Sequence, residues 1–225
     1  MPRTYSRMLA ALVGALVLAA GVGTAAFAVG RYGNDISWPQ CGGAFPAKAG
    51  FGIVGVNGGR PFTQNPCLAA EWQWALANKA APAYYMNLSN TSTSDPAGFG
   101  ASAAAYALNY AASVTGASSA VGHVWWIDVE TANTWSSSQA ANAAVVQGAL
   151  TYLKQHTAKA VGIYSTGYQW GVITGGVHLS APVWAAGASS AASAPSMCGT
   201  GFTGKPVKLV QYPAGSYDGD YRCGK

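Results

Sequence analysis

Short apolar runs alternate with helix-like stretches along this chain, and that alternation constrains the fold more than any other feature. The runs cover residues 34–38, 51–56, 83–88, 121–129, 160–165, 182–186 and 207–212. They are rich in Val, Ile, Tyr and Trp and bounded by Gly, Pro or Ser, the signature of strands. Helical patterns lie between them. Residues 66–80 follow Asn65 as an N-cap, with Pro66 in the first turn. Residues 100–113 are alanine-rich, and in 137–155 Ala143, Val146, Leu150 and Leu153 recur at helical spacing behind Ser136 as N-cap. Repeated βα units require a parallel sheet covered on its faces. The expectation is an α/β chain folded as one domain, a compact or modified (β/α) barrel of TIM type. A doubly wound open sheet is the alternative. Residues 185–195, rich in Ala and Ser, read as a surface loop.

Charge is scarce. Lys and Arg number 12 and acids 7, so 8% of residues are charged, against about 25% in ordinary soluble domains. With half the residues hydrophobic, this composition excludes an intrinsically disordered chain and a charge-laced coiled coil. Part of the apolar excess is local. Arg3 and Arg7 precede an uncharged run of Leu, Ala, Val and Gly, and Ala26-Phe27-Ala28 fits a small-residue cleavage site. Residues 1–28 therefore read as a secretory signal peptide, leaving 29–225 as the mature domain. An uncleaved membrane anchor is the rival reading, since the uncharged run is long enough to span a bilayer. Loss of the two arginines lowers the net charge from +5 to +3. The remaining basic residues are scattered, so no nucleic-acid partner is expected. The mature chain is expected to be a secreted monomer without stable membrane insertion.

An even cysteine count in an exported chain suggests two disulfides. Cys41, Cys67, Cys198 and Cys223 allow three pairings; proximity favours Cys41–Cys67 and Cys198–Cys223. No CxxC pair occurs and the histidines lie far from the cysteines, so neither a metal nor a cofactor is expected.

The seven acids are informative because they are few. Glu71 falls in a helix and Asp95 in a Ser/Thr/Pro loop, where both read as surface residues. Asp128 and Glu130 close the apolar strand that contains Trp125-Trp126-Ile127. Residues i and i+2 of a strand point to one face. Two carboxyls therefore stand side by side at a strand's carboxyl end, where (β/α) folds place their chemistry. Such neighbours raise one another's pKa, which leaves one acid and one base near neutral pH, the pairing that glycosidic-bond cleavage uses. The plainer reading is a helix cap or a salt bridge. Asp35 and the turn-like Asp218-Gly219-Asp220 can face this pair if the first and last strands meet in a closed barrel.

At these residues the sequence resembles the lysozyme-type glycoside hydrolase family 25, and more closely its secreted actinobacterial relatives. The matching motifs, in order, are Asp35-Ile36-Ser37-Trp38, Asp128-Val129-Glu130, Ile163-Tyr164-Ser165, Val183-Trp184-Ala185-Ala186, and Gln211-Tyr212 followed by Asp218 or Asp220. The resemblance implies five βα units plus additional strands. It also implies cleavage of the N-acetylmuramyl β-1,4 linkage of cell-wall peptidoglycan, with Glu130 as general acid. Asp128 would orient the substrate or support its charge, and Asp35 with a C-terminal Asp would complete an acidic floor. Substrate contacts are expected from Trp38, Tyr85, Asn87, Tyr164, Trp184, Gln211 and Tyr212. The sequence departs from the family at Tyr85-Met86-Asn87, where Tyr-His-Phe is usual, at Asn57-Gly58-Gly59-Arg60, and near Gly187. These positions usually line the sugar cleft. Hydrolysis of another N-acetylhexosamine glycan or surface polysaccharide, or glycan binding without turnover, are the alternative functions.

Other chemistries fit poorly. Gly162 to Gly167 reads G-x-x-S-x-G and is not a nucleophile elbow. Gly204-Lys205 lacks the spacing of a phosphate loop. His123 reads as a core histidine before a proton shuttle. Asn87 and Asn90 fit glycosylation sequons.

Overall fold

The computed structural model describes residues 30–47, 49–78, 82–92 and 94–224. The expected signal peptide lies outside them. Eight strands close into one barrel in chain order: β1 (Tyr32–Ile36), β2 (Gly52–Gly55), β3 (Ala83–Asn87), β4 (Val124–Asp128), β5 (Val161–Ser165), β6 (Val183–Ala186), β7 (Val207–Ala214) and β8 (Tyr217–Arg222). Neighbours from β1 to β7 are parallel. The hairpin strand β8 runs antiparallel to both β7 and β1 and closes the ring. The open-sheet alternative is thereby excluded.

Five helices accompany the strands: α1 (Leu68–Ala77), α2 (Pro96–Thr115), α3 (Ala117–Gly122), α4 (Gln139–His156) and α5 (Gly167–Thr174). Three of these helices start at a side-chain cap. Asp95, an exposed N-cap, accepts from the Gly98 N–H at 2.8 Å. Ser138 and Thr166 do the same for α4 and α5, because a short side-chain oxygen satisfies an otherwise orphaned donor. The cap of α4 is thus Ser138, not Ser136. At α1 the N-cap is Cys67; Asn65 instead accepts from the Cys67 N–H and holds the preceding loop. Helices α2 and α4 touch backbone to backbone. A Cβ on Gly148 would come within 2.0 Å of the Ala97 carbonyl, and one on Gly100 within 1.9 Å of the Val145 carbonyl.

Two apolar layers result. Outside the sheet, Leu68, Trp72, Tyr84, Trp125, Leu150 and their neighbours fill the space beneath the helices. Inside it, Phe51, Ile53, Trp126, Tyr164, Trp184 and Leu209 plug the barrel. Burial of each such side chain contributes roughly 1.5–3 kcal/mol. Glycines make room for these rings: a Cβ on Gly162 would lie 2.2 Å from the Trp126 ring, and one on Gly55 would lie 2.8 Å from Tyr85.

Several expectations are corrected. The fourth run begins at Val124, because Val121 and Gly122 end α3. Trp38 lies in a 3-10 turn, Trp38–Gln40, with Pro39 near its start, after the pairing of β1 has ended at Ile36. Residues 185–195 belong partly to β6 and partly to a second 3-10 turn, Ala194–Met197. The Asp218-Gly219-Asp220 stretch is a strand; the turn precedes it, at Gly215 with φ +71°. Glu71 is completely buried, not on the surface. The disulfides are Cys41–Cys67 and Cys198–Cys223, as proximity favoured.

Candidate active site

Period-2 alternation sends Asp35, Tyr85, Asn87, Asp128, Tyr164, Trp184, Gln211 and Asp218 toward the barrel axis. There they line one cleft of about 310 Å³ together with Ser37, Trp38 and Glu130. The cleft opens at the carboxyl ends of the parallel strands, the end the sequence indicated. No lysine or arginine among the described residues lines it.

The register of the strands sets the acids. Asp128 pairs with Asn87 and Tyr164 across β3 and β5, and Asp35 pairs with Asp218 across β8. Asn87 Nδ2 donates to Asp128 Oδ2. The other oxygen, Asp128 Oδ1, is buried and receives no N–H or hydroxyl donor among the described residues. Its neighbour is Glu130, and burial together with Glu130's charge pushes the Asp128 carboxyl well above its usual range. Asp128 and Glu130 thus form a close carboxyl pair in which burial and mutual repulsion favour holding a proton between them. Glu130 itself is raised by burial, and hydrogen bonds from Gln169 and Asp128 oppose that rise. Gln169, in the first turn of α5, also accepts from Thr131 N–H at 2.6 Å, while Trp135 Nε1 donates to the Glu130 carbonyl at 2.7 Å. These contacts fix the loop that carries Glu130.

A second carboxyl pair lies deeper. Asp220 is completely buried beneath the cleft and does not line it. Trp184 Nε1 donates to its Oδ1 at 2.8 Å. Its Oδ2 has no donor but faces Asp35, so burial and the Asp35 charge raise its pKa far above normal. Asp35, raised to about 7 by burial and by Asp218, accepts hydrogen bonds from Gln211 and from the Asp220 carboxyl. A chain of bonds results. Tyr164 OH donates to Gln211 Oε1 at 2.7 Å, and Gln211 Nε2 donates to Asp35 Oδ2 at 3.0 Å. Asp218 faces the cleft, and partial burial raises its pKa. Of the two C-terminal acids, Asp218 is the cleft residue and Asp220 its buried support.

Trp38 is exposed at the rim, 48% accessible, and offers a ring face to a ligand. One expected contact is not there: Tyr212 points outward, packs edge-on against Tyr32, and lies opposite Gly219, whose missing side chain leaves room for the ring. The one-residue alternation that turns Gln211 inward turns Tyr212 out. His123 Nδ1 bonds to the Ser119 carbonyl and its ring packs on Trp72, which is the core role. Asn87 and Asn90 are tied to Asp128 and Asn142 in the fold, so neither is a free glycosylation acceptor. Gln169 escaped sequence reasoning, and Ser37 was named only as part of a motif. Gln169 sits within no recognisable motif, although Ser37 is the third residue of Asp-x-Ser.

A closed eight-stranded barrel with a cluster of carboxyls at its C-terminal rim defines the class, a lysozyme-like glycoside hydrolase. The chain belongs to the family described as Lysozyme-like protein 1, whose model matches residues 71–196, more than half of the sequence. That span includes Asp128 and Glu130. No curated protein matches the sequence. Among solved structures, the chain is similar to a muramidase from Trichobolus zukalii (TM-score 0.64, 19% identity, 87% of this chain and 94% of that one). It is also similar to the bacterial lysozyme from Streptomyces coelicolor (TM-score 0.60, 17% identity, 87% and 93%). A third is a family GH25 lysozyme from Aspergillus fumigatus (TM-score 0.63, 16% identity, 87% and 94%). At these identities the likeness is one of fold.

Proposed function

We propose that the chain is a secreted muramidase-type hydrolase that cleaves β-1,4 glycosidic bonds of cell-wall peptidoglycan. Residues 1–28 serve as the export signal, and residues 29–225 act as a monomeric catalytic domain. The observation that carries the reading is the convergence of Asp35, Asp128, Glu130 and Asp218 on one cleft without a neutralising cation. Two disulfides suit an exported protein, and no helix among the described residues is long and apolar enough to cross a membrane.

Glu130 is the less buried member of the central pair, and burial raises its carboxyl, which suits it to pass a proton to the leaving oxygen. Asp128, which accepts a hydrogen bond from Asn87, stands beside Glu130 and presents a polar edge to the sugar. Asp35 and Asp218 supply negative charge facing a developing oxocarbenium ion. Trp38, Tyr85, Tyr164 and Trp184 give the sugar rings aromatic walls. Gln211 holds Asp35 in place.

The test is loss of turbidity of a purified cell-wall suspension. Wild type clears it, and Glu130→Gln slows clearing by at least about 100-fold, the usual scale of general acid catalysis. A fully active Glu130→Gln variant would remove Glu130 from this role. Asn87 in the cleft and Asn57 bound to its backbone favour a second reading, a different N-acetylhexosamine glycan as substrate. Reducing ends released from another glycan, with none from the wall, would select it; binding to wall without any release would select a non-catalytic role.

A further inference from the structure

The opposite mouth of the barrel holds a second cavity of about 300 Å³. It lies where the parallel strands begin and β8 ends. Phe51, Val124, Trp126 and Leu209 give it an apolar wall, and Lys208 and Arg222 stand beside them. No acidic residue lines it. It shares no lining residue with the carboxyl-lined cleft.

Three donor groups stand around this cavity. Trp126 is 4% exposed, and its indole Nε1 is buried without a partner among the described residues. The benzene edge of that indole is held against Gly162, which turns the nitrogen edge away from β5. Arg222 is half-buried with its guanidinium 4.4 Å over the Phe51 ring, and no carboxyl group perturbs it. Lys208 owes its place to a register shift. β6 and β7 pair Val183 with Val207 and then Trp184 with Leu209, so Lys208 is the extra residue of a bulge. Bulges re-aim side chains at barrel rims.

An apolar wall flanked by an indole N–H and two cations, with no carboxylate side chain among the described residues, is complementary to one kind of ligand. We propose that this lower cavity binds a small apolar anion, a flat aromatic carboxylate, with its rings against Val124, Trp126 and Leu209 and its charge between Arg222 and Lys208. The volume stands at the lower end of the range for small-molecule sites, about 300–1,000 Å³, which fits one or two fused rings. A guanidinium on an aromatic shelf is well suited to a carboxylate, because its planar fork donates twice while the ring holds it in place. The inference is independent of the hydrolase reading, since no cleft residue takes part.

The test uses the full chain and 2-naphthoate as probe, followed by isothermal titration calorimetry. Saturable one-to-one binding is expected. 2-Naphthalenemethanol, with the same rings and no charge, should bind at least tenfold more weakly. Arg222→Gln should weaken naphthoate binding at least tenfold. Lys208→Gln, at an exposed position that does not endanger folding, should weaken it several-fold. One indole N–H resonance, absent in Trp126→Phe, should move on titration. Glu130→Gln should leave binding unchanged. Absence of saturation, equal affinity for the alcohol, or unaltered binding in Lys208→Gln would overturn the proposal. So would loss of binding in Glu130→Gln, which would put the probe in the upper cleft.

Discussion

Replacing Glu71 by glutamine should flatten the dependence of stability on pH. Glu71 sits on α1 with no accessible surface. Its Oε2 accepts from Asn65 Nδ2 at 2.6 Å, and its Oε1 has no partner among the described residues. Burial raises its pKa from 4.5 to about 7, and the Asn65 bond only partly opposes that. The folded state therefore holds a proton that the unfolded chain releases. For such a group stability is greatest below the unfolded pKa and declines as pH rises from about 4.5 to about 7. A shift of that size corresponds to about 3 kcal/mol at 1.36 kcal/mol per pKa unit, and screening from nearby solvent leaves on the order of 2 kcal/mol. Glutamine keeps the acceptor for Asn65 and cannot ionise. Urea unfolding followed by tryptophan fluorescence should show Glu71→Gln gaining roughly 2 kcal/mol relative to wild type between pH 4.5 and pH 8. The other buried acids titrate in both proteins and cancel in the comparison. A difference between variant and wild type that is constant with pH, or that falls as pH rises, would refute the reasoning.

The Asp35 titration midpoint, about 7, should move in opposite directions with its two neighbours: down in Asp218→Asn, which removes a repelling charge, and up in Gln211→Leu, which removes a stabilising hydrogen bond. Carboxyl carbon chemical shifts against pH measure both. Gly148→Ala should destabilise by about 2–3 kcal/mol, because the new methyl meets the Ala97 carbonyl at 2.0 Å and the helices must part; thermal unfolding checks it. Replacing Cys198 and Cys223 by serine opens a loop of sequence separation 25 and should cost roughly 3 kcal/mol through chain entropy, read from the urea midpoint of the double variant.

Much of this architecture was legible because strand and helix periods differ. The seven apolar runs became strands β1 to β7, and the strict alternation at Asp128, Val129 and Glu130 carried two acids to one end. β8 was missed for a physical reason. Its residues, Tyr217–Arg222, alternate small and acidic groups, and Asp-Gly is also the chemistry of turns. Only pairing with β1 and β7 makes it a strand. Tyr212 was misjudged because a motif gives neighbours in sequence, while a strand sends neighbours to opposite faces. Glu71 was misjudged because helical position alone does not reveal burial, and its partner Asn65 lies in the preceding loop. The carboxyl pairing of Asp35 with Asp220 required closure of the barrel, which no local pattern encodes. Helix α5 and its Gln169 were missed because the segment is short and glycine-bounded.

The central claim is that the Asp128–Glu130 pair delivers a proton to a glycosidic oxygen of the cell wall. The most direct measurement is mass spectrometry of fragments released from purified peptidoglycan by wild type and by Glu130→Gln. The account predicts disaccharide-containing fragments with new reducing ends from wild type, and at least about a hundredfold fewer from the variant. Equal release from both, or peptides released without new reducing ends, would contradict it.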